Sequence, residues 1–193
     1  MRRWNGWGDD TISYHVPAQA VEFLAALVGS GQPPRDVSAG ETLGSLPPAR
    51  PLNHSLVKSE PVARLRHARG QSFPDWVALR SGRIPAYPDG VAYPTTDADV
   101  ADLIRFAQSA GAQLIPYGGG TSVVGHINPL PGDRPALTVD MSRMNRLLRV
   151  DDASHLATFG AGVAGPDLEA QLRARGYTLG HFPQSFEYST LGG

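Results

Sequence analysis

The stretch Pro116-Tyr117-Gly118-Gly119-Gly120-Thr121-Ser122-Val123-Val124-Gly125-His126 follows directly on the apolar run Gln113-Leu114-Ile115. Three consecutive glycines allow φ > 0 and let successive backbone N–H groups converge on an anion, while Thr121 and Ser122 add short hydroxyl donors. A phosphate or pyrophosphate fits such a loop; a tight strand-to-strand turn is the plainer alternative. The better-known phosphate loops do not match. A Walker A loop carries Lys and then Ser or Thr after its last glycine, whereas Gly120 is followed by Thr121, Ser122 and Val123. The Rossmann fingerprint needs glycine where Val123 stands and a helix opening there, yet Val123–Pro129 reads as loop. A nucleophile elbow around Ser122 fails at Val124, where glycine is required. What remains is a neutral cradle for a phosphate that is held and not transferred.

The pattern flanking this loop is that of a βαβ unit. Val91-Ala92-Tyr93 is a short apolar run, and Thr96 can cap a helix with Val100, Leu103, Ile104 and Ala107 on one face. Gly111 stops that helix, and Leu114-Ile115 forms the next strand. The glycine loop then lies at the carboxyl end of a strand, where open α/β units bind ligands. Leu137–Val139, Arg146–Val150 and His155–Phe159 read as further strands, the last alternating Leu156 and Thr158 against His155, Ala157 and Phe159. Gly165-Pro166 opens a helix carrying Leu168 and Leu172, with Gly176 closing it. Toward the N-terminus, Pro17 opens a helix with Val21, Leu24 and Val28 at helical spacing, ended by Gly29 or Gly31. Residues 31–51 are rich in Pro, Gly and Ser and read as loop or linker, and a short helix is expected around Trp76–Arg80. The expected fold class is α+β, a βαβ unit followed by a mixed sheet with helices over 88–193. A mostly helical or irregular segment, 1–87, precedes it.

Four segments occur here in the order found in FAD-linked oxidases of the vanillyl-alcohol-oxidase type. They are Pro116–Ser122, Leu137–Leu148 with Asp140 and Asn145, the Gly160–Val163 turn, and His181-Phe-Pro-Gln-Ser-Phe-Glu-Tyr-Ser-Thr-Leu-Gly-Gly193. Within that family the chain most resembles the alkyldihydroxyacetonephosphate synthase branch, through Arg2-Arg-Trp-Asn-Gly-Trp-Gly-Asp9 and Phe186-Glu-Tyr-Ser-Thr190. The resemblance implies a PCMH-type FAD-binding domain, incomplete at its C-terminus, with FAD contacted by two segments. These are Pro116, Tyr117, Gly118, Gly119, Gly120, Thr121 and Ser122, then Gln184, Ser185, Phe186, Glu187, Tyr188, Ser189, Thr190 and Gly192. Read without the resemblance, the second segment is a Ser/Thr/Gly loop that could equally be a solvated turn. Family members that tether their flavin often do so through a histidine in the first loop. Thr121 stands at that position, which implies non-covalent FAD; nearby His126 reads as a structural hydrogen-bonding residue.

The resemblance further implies exchange of an acyl group for a long-chain alcohol on dihydroxyacetone phosphate, or hydride removal from a hydroxy acid or alcohol in the oxidase branch. The catalytic acid/base residues are expected beyond residue 193. An alternative of another class is a catalytically silent, truncated flavin-binding module, and the ending on Leu191-Gly192-Gly193 in mid-motif reads as a fragment. Such a chain is expected to show no turnover alone and to bind FAD weakly.

Composition bounds the rest. A net charge of −1 and 41% hydrophobic residues give no bias toward nucleic acid or membranes, and no transmembrane segment is expected. The partner implied is a small or lipid-like substrate, with the oligomeric state open and a homodimer among the options. No cysteine is present, so disulfides and thiolate metal sites are excluded, and without an export signal the expected location is cytoplasmic. The six histidines are scattered without His-x-His or His-x-x-x-His pairing, so no metal site is expected. Arg64, Arg66, His67 and Arg69 read as a solvated basic cluster, with a phosphorylated or carboxylated substrate as the alternative. Trp4 and Trp7 read as anchors of an N-terminal segment.

Overall fold

The sheet is built around Ala136-Leu-Thr-Val-Asp140, a strand every residue of which is buried. In the computed structural model, which describes residues 2–32 and 35–193, the described residues form six α-helices and six strands. The strands are β1 (Val57–Lys58), β2 (Gly90–Ala92), β3 (Gln113–Tyr117), β4 (Ala136–Asp140), β5 (Leu147–Asp151) and β6 (Leu156–Phe159). The helices are α1 (Ala18–Val28), α2 (Ala39–Gly44), α3 (Pro61–Arg66), α4 (Phe73–Ser81), α5 (Asp97–Ser109) and α6 (Gly165–Arg173).

The first four strands form a mixed sheet in the order β1-β2-β4-β3, with β2 and β3 both parallel to β4 and β1 antiparallel to β2. The βαβ unit β2-α5-β3 is therefore split, because β4 enters between its two strands. A central strand flanked by parallel neighbours is covered on both faces, which accounts for the unbroken burial of β4. Thr96 caps α5 by accepting from the Asp99 N–H, Asp99 returns the bond, and Gly111 at φ +61° ends the helix as its position predicted. The helix buries a narrower stripe than the periodicity suggested. Leu103 and Ala107 enter the core with Leu52, Ala92, Ala112, Leu137 and Val139, while Ile104 remains 52% exposed. Full burial of Leu103 alone stabilises by about 1.5–3 kcal/mol.

β5 and β6 pair antiparallel as a separate hairpin. His155, expected in the strand, instead sits in the turn at φ +51°, where Asp151 accepts from the N–H groups of Ala153 and Ser154. α6 buries Leu168 and Leu172 against Val163 as expected.

The N-terminal residues are woven into this body. β1 adds an edge strand, Leu52 joins the core, and the Val37 N–H donates to Arg80 O. The stretch 31–51, expected as linker, contains α2, fixed by a Ser38/Glu41 capping box and buried at Thr42. A six-residue helix held by its cap and one buried threonine has no periodicity to betray it. α1 forms where Pro17 and Gly29 bracket it, but none of its residues is buried. No helix among the described residues is long and apolar enough to cross a membrane.

Candidate functional site

β3 and β4 run parallel with Tyr117 opposite Asp140, so the glycine loop and the turn Met141–Arg143 emerge together from the carboxyl edge of the sheet. A third turn, Gly160–Val163, closes on this edge. A Cβ at Gly160 or Gly162 would overlap the carbonyls of Met144 and Met141. The second predicted segment hooks onto that turn through the N–H groups of Leu191 and Gly192, which donate to Val163 O (3.0 Å) and Ala161 O (2.8 Å).

The two predicted segments meet. A Cβ at Gly119 would overlap the Tyr188 carbonyl, and one at Gly118 would overlap Thr190 Oγ1 and lie 3.0 Å from Gly193 Cα. Between them lies a cleft of about 420 Å³, lined by Pro116–Val124 on one side and Thr190, Gly192 and Gly193 on the other. Ser185, Phe186 and Ser189 line an adjoining cleft of about 340 Å³ that shares Thr121, Thr190 and Gly193 with the first. Glu187 and Tyr188 face a third cleft, toward the N-terminal arm. Gln184 is exposed and borders none of the three.

The glycines have different reasons. Only Gly120, at φ +68°, occupies the left-handed region; Gly118 and Gly119 are needed because the second segment approaches where their side chains would stand. Burial pushes the Tyr117 phenol up to about 12, so it stays neutral beneath the loop.

The loop is also held from behind by residues far away in sequence. The Gln71 N–H donates to Ser122 O at 2.6 Å, and a Cβ on Gly70 would lie 2.5 Å from that same oxygen. The Gly70 N–H donates to Asn128 Oδ1 (2.9 Å), whose amide donates to Asp75 Oδ1 (2.7 Å). Arg2 Nη1 donates to Gly119 O, and Trp7 packs edge-on against Tyr188 with centroids 5.1 Å apart, which anchors the N-terminal arm as expected. His126 Nδ1 lies 3.0 Å from Ser122 Oγ, a local hydrogen bond in line with the structural role expected of it.

The basic cluster is not a solvated face. Arg64 is buried and donates to the carbonyls of Pro88 (2.7 Å) and Pro47 (3.0 Å). His67 is buried between Ala63 O (2.7 Å from Nδ1) and Asp140 Oδ2 (2.9 Å from Nε2). Burial opposes the charge on Asp140, but the hydrogen bonds from His67 and Ser142 outweigh it and hold the carboxyl below its usual range. The imidazole thus lies between a backbone carbonyl and a carboxylate, both of them acceptors. Sequence reasoning missed this pair, and also Gly70, Gln71, Asn128 and Asp75; the Leu-Thr-Val-Asp140-Met-Ser segment was the one visible signal.

A loop of converging N–H groups and short hydroxyls, closed by a second hydroxyl-rich segment, has the donors a dinucleotide pyrophosphate requires. Thr190 Oγ1 is buried without a protein partner beside this cleft, and such a group calls for an acceptor or donor from outside the chain. The profile of the FAD binding domain matches residues 88–193, and the chain belongs to that family. It is 31% identical to alkyldihydroxyacetonephosphate synthase of Trypanosoma brucei brucei over 99% of its length and 36% of that protein. To the enzyme of the same name from Dictyostelium discoideum it is 39% identical over 71% of its length and 22% of that protein. A solved structure of alkyldihydroxyacetonephosphate synthase superposes on all of it with a TM-score of 0.83 at 28% identity, covering 42% of that chain. The chain therefore spans about two fifths or less of the length of the relatives it matches.

Proposed function

We propose that the intact protein exchanges the acyl group of an acyl dihydroxyacetone phosphate for a long-chain alcohol, with this chain holding the flavin. The observation that carries the reading is the closure of Tyr188–Thr190 onto Gly118–Gly119 around one cleft. When bound, FAD supplies the redox-active ring at which the reaction occurs. Backbone N–H groups of Gly118–Ser122 hold the pyrophosphate, with the hydroxyls of Thr121, Ser122, Ser189 and Thr190 as additional donors. Pro116, Tyr117 and Gly192 shape the cleft, and Ser185, Phe186 and Ser189 border its extension; residues 88–193 form the domain and 1–87 brace it. Support for the synthase over a hydroxy-acid dehydrogenase comes from the N-terminal arm, since the likeness to the trypanosome enzyme extends across 99% of this chain and so includes Arg2–Asp9. The test is an assay of the intact flavoprotein with acyl dihydroxyacetone phosphate and hexadecanol. Release of fatty acid without dye reduction is expected; dye reduction by a hydroxy acid without exchange would overturn the reading.

FAD is held without a covalent bond, because Thr121 occupies the position where a tethering histidine would stand. Acid precipitation of the flavin-loaded protein is expected to leave all flavin in the supernatant. Yellow precipitate that resists washing would refute non-covalent binding and direct attention to His126.

A further inference from the structure

The third cleft, about 340 Å³, is lined by four arginines, Arg2, Arg3, Arg66 and Arg69, together with Trp4 and Tyr188. Arg2 reaches Gly119 O and lies 4.9 Å over the Tyr188 ring, and Arg66 donates to Arg2 O. Arg69 differs. Its Nε and Nη2 are shielded from solvent and have no hydrogen-bond partner among the described residues, and the same holds for Arg3 Nε, although Arg3 Nη2 donates to the carbonyls of Asp9 and Ile12. Nε and Nη2 form one edge of a guanidinium. Arg50 shows what that edge does elsewhere in this chain, since it grips Asp89 Oδ2 at 3.0 and 2.8 Å.

Among the described residues no carboxylate serves Arg69 in that way. Asp75 acts on it through space, but its two oxygens are engaged by Asn128 and Ser72; Asp140 is engaged by His67 and Ser142. Asp167 and Glu187 line the cleft from exposed positions. Shielding a cationic donor edge without an acceptor is unfavourable, and such groups recur where a ligand supplies the missing acceptor. A tetrahedral oxyanion suits the place better than a planar carboxylate. It presents oxygens in more than one plane and can accept from two separate guanidinium groups, each of which favours bidentate geometry.

We propose that this cleft is a binding site for a phosphate monoester or free phosphate, with Arg69 as principal donor and Arg3 as the second. Because the free edge is itself shielded, the anion meets it by rotation of the guanidinium on its flexible stem toward the cleft. The site shares Tyr117, Gly118, Gly119 and Thr190 as a wall with the flavin cleft, but its four arginines line this cleft alone, so occupancy of one does not require the other.

The experiment is thermal unfolding and 31P line broadening of the full 193-residue chain without FAD, titrated with inorganic phosphate, glycerol 3-phosphate or acetate at constant ionic strength. Saturable stabilisation by the two phosphates and none by acetate is expected. Tighter binding of glycerol 3-phosphate would assign the site to a phosphorylated small molecule, and equal binding to free phosphate. Arg69→Met is expected to weaken phosphate binding by about tenfold or more while melting no lower than the native chain in phosphate-free buffer, because the unpartnered cation is gone. Should that variant fail to fold, Arg3→Gln, expected to weaken binding by a smaller factor, is read instead. The proposal is overturned by no saturable response in the native chain, by an undiminished response in both variants, or by displacement of phosphate on adding FAD.

Discussion

Replacing Gly119 by alanine is expected to abolish flavin retention, with purified protein losing the flavin absorbance band. The added Cβ would overlap the Tyr188 carbonyl, so the second segment cannot close on the glycine loop. Neither partner can yield by a rotamer change, because both contacts are backbone and Tyr188 stands in a turn fixed by its N–H bond to Ser185 O at 2.9 Å. Separating the two walls removes half of the donors from any dinucleotide between them, and a rise in Kd of at least about tenfold, roughly 1.4 kcal/mol, follows. Position 119 has no left-handed conformation to lose, so the effect is steric. Native flavin content in the purified variant would show that the contact of the two segments does not form the cofactor site.

This steric role of Gly119 was only partly legible in the sequence. The glycine triplet announced an anion cradle, and Thr96, the spacing of Leu103 and Ala107, and Gly111 announced the helix that feeds it, because caps, stops and periodicity are local signals. Closure of Tyr188–Thr190 on the loop had no local signal and rested on family likeness. The insertion of β4 between β2 and β3 was equally invisible, since strand order is a property of contacts distant in the chain. The arginine and histidine cluster failed for a related reason. Arg64 and His67 look solvated when their partners are unknown, and apart from Ala63 O those partners are carbonyls and a carboxylate 17 to 73 residues away. Composition made 31–51 look like linker, although a single capping box and one buried threonine suffice to order α2.

The His67–Asp140 pair carries the other large expected effect. The side chains are 8% and 10% exposed, and removing one member of such a pair leaves the other buried without compensation. Asp140→Ala is expected to destabilise by about 3–5 kcal/mol in urea unfolding at neutral pH. Asp140→Asn should cost less, because a neutral imidazole with its proton on Nδ1 still donates to Ala63 O and can accept from the new amide. The pH dependence has a definite sign. The Asp140 carboxyl is held below its unfolded value of about 3.9, so its contribution is complete above that pH and disappears as the pH falls through the lower folded value. The stability gap between native and Asp140→Ala chains should therefore be constant from neutrality to about pH 5 and narrow below about pH 4. Asp140 faces Tyr117 across the sheet register where the glycine loop begins, and His67 packs on the Tyr117 ring at 4.4 Å. Loss of the pair should thus also loosen the loop, visible as faster amide exchange over residues 118–122. A variant as stable as the native chain at neutral pH, with exchange unchanged there, would show that the pair neither stabilises the fold nor braces the cofactor loop.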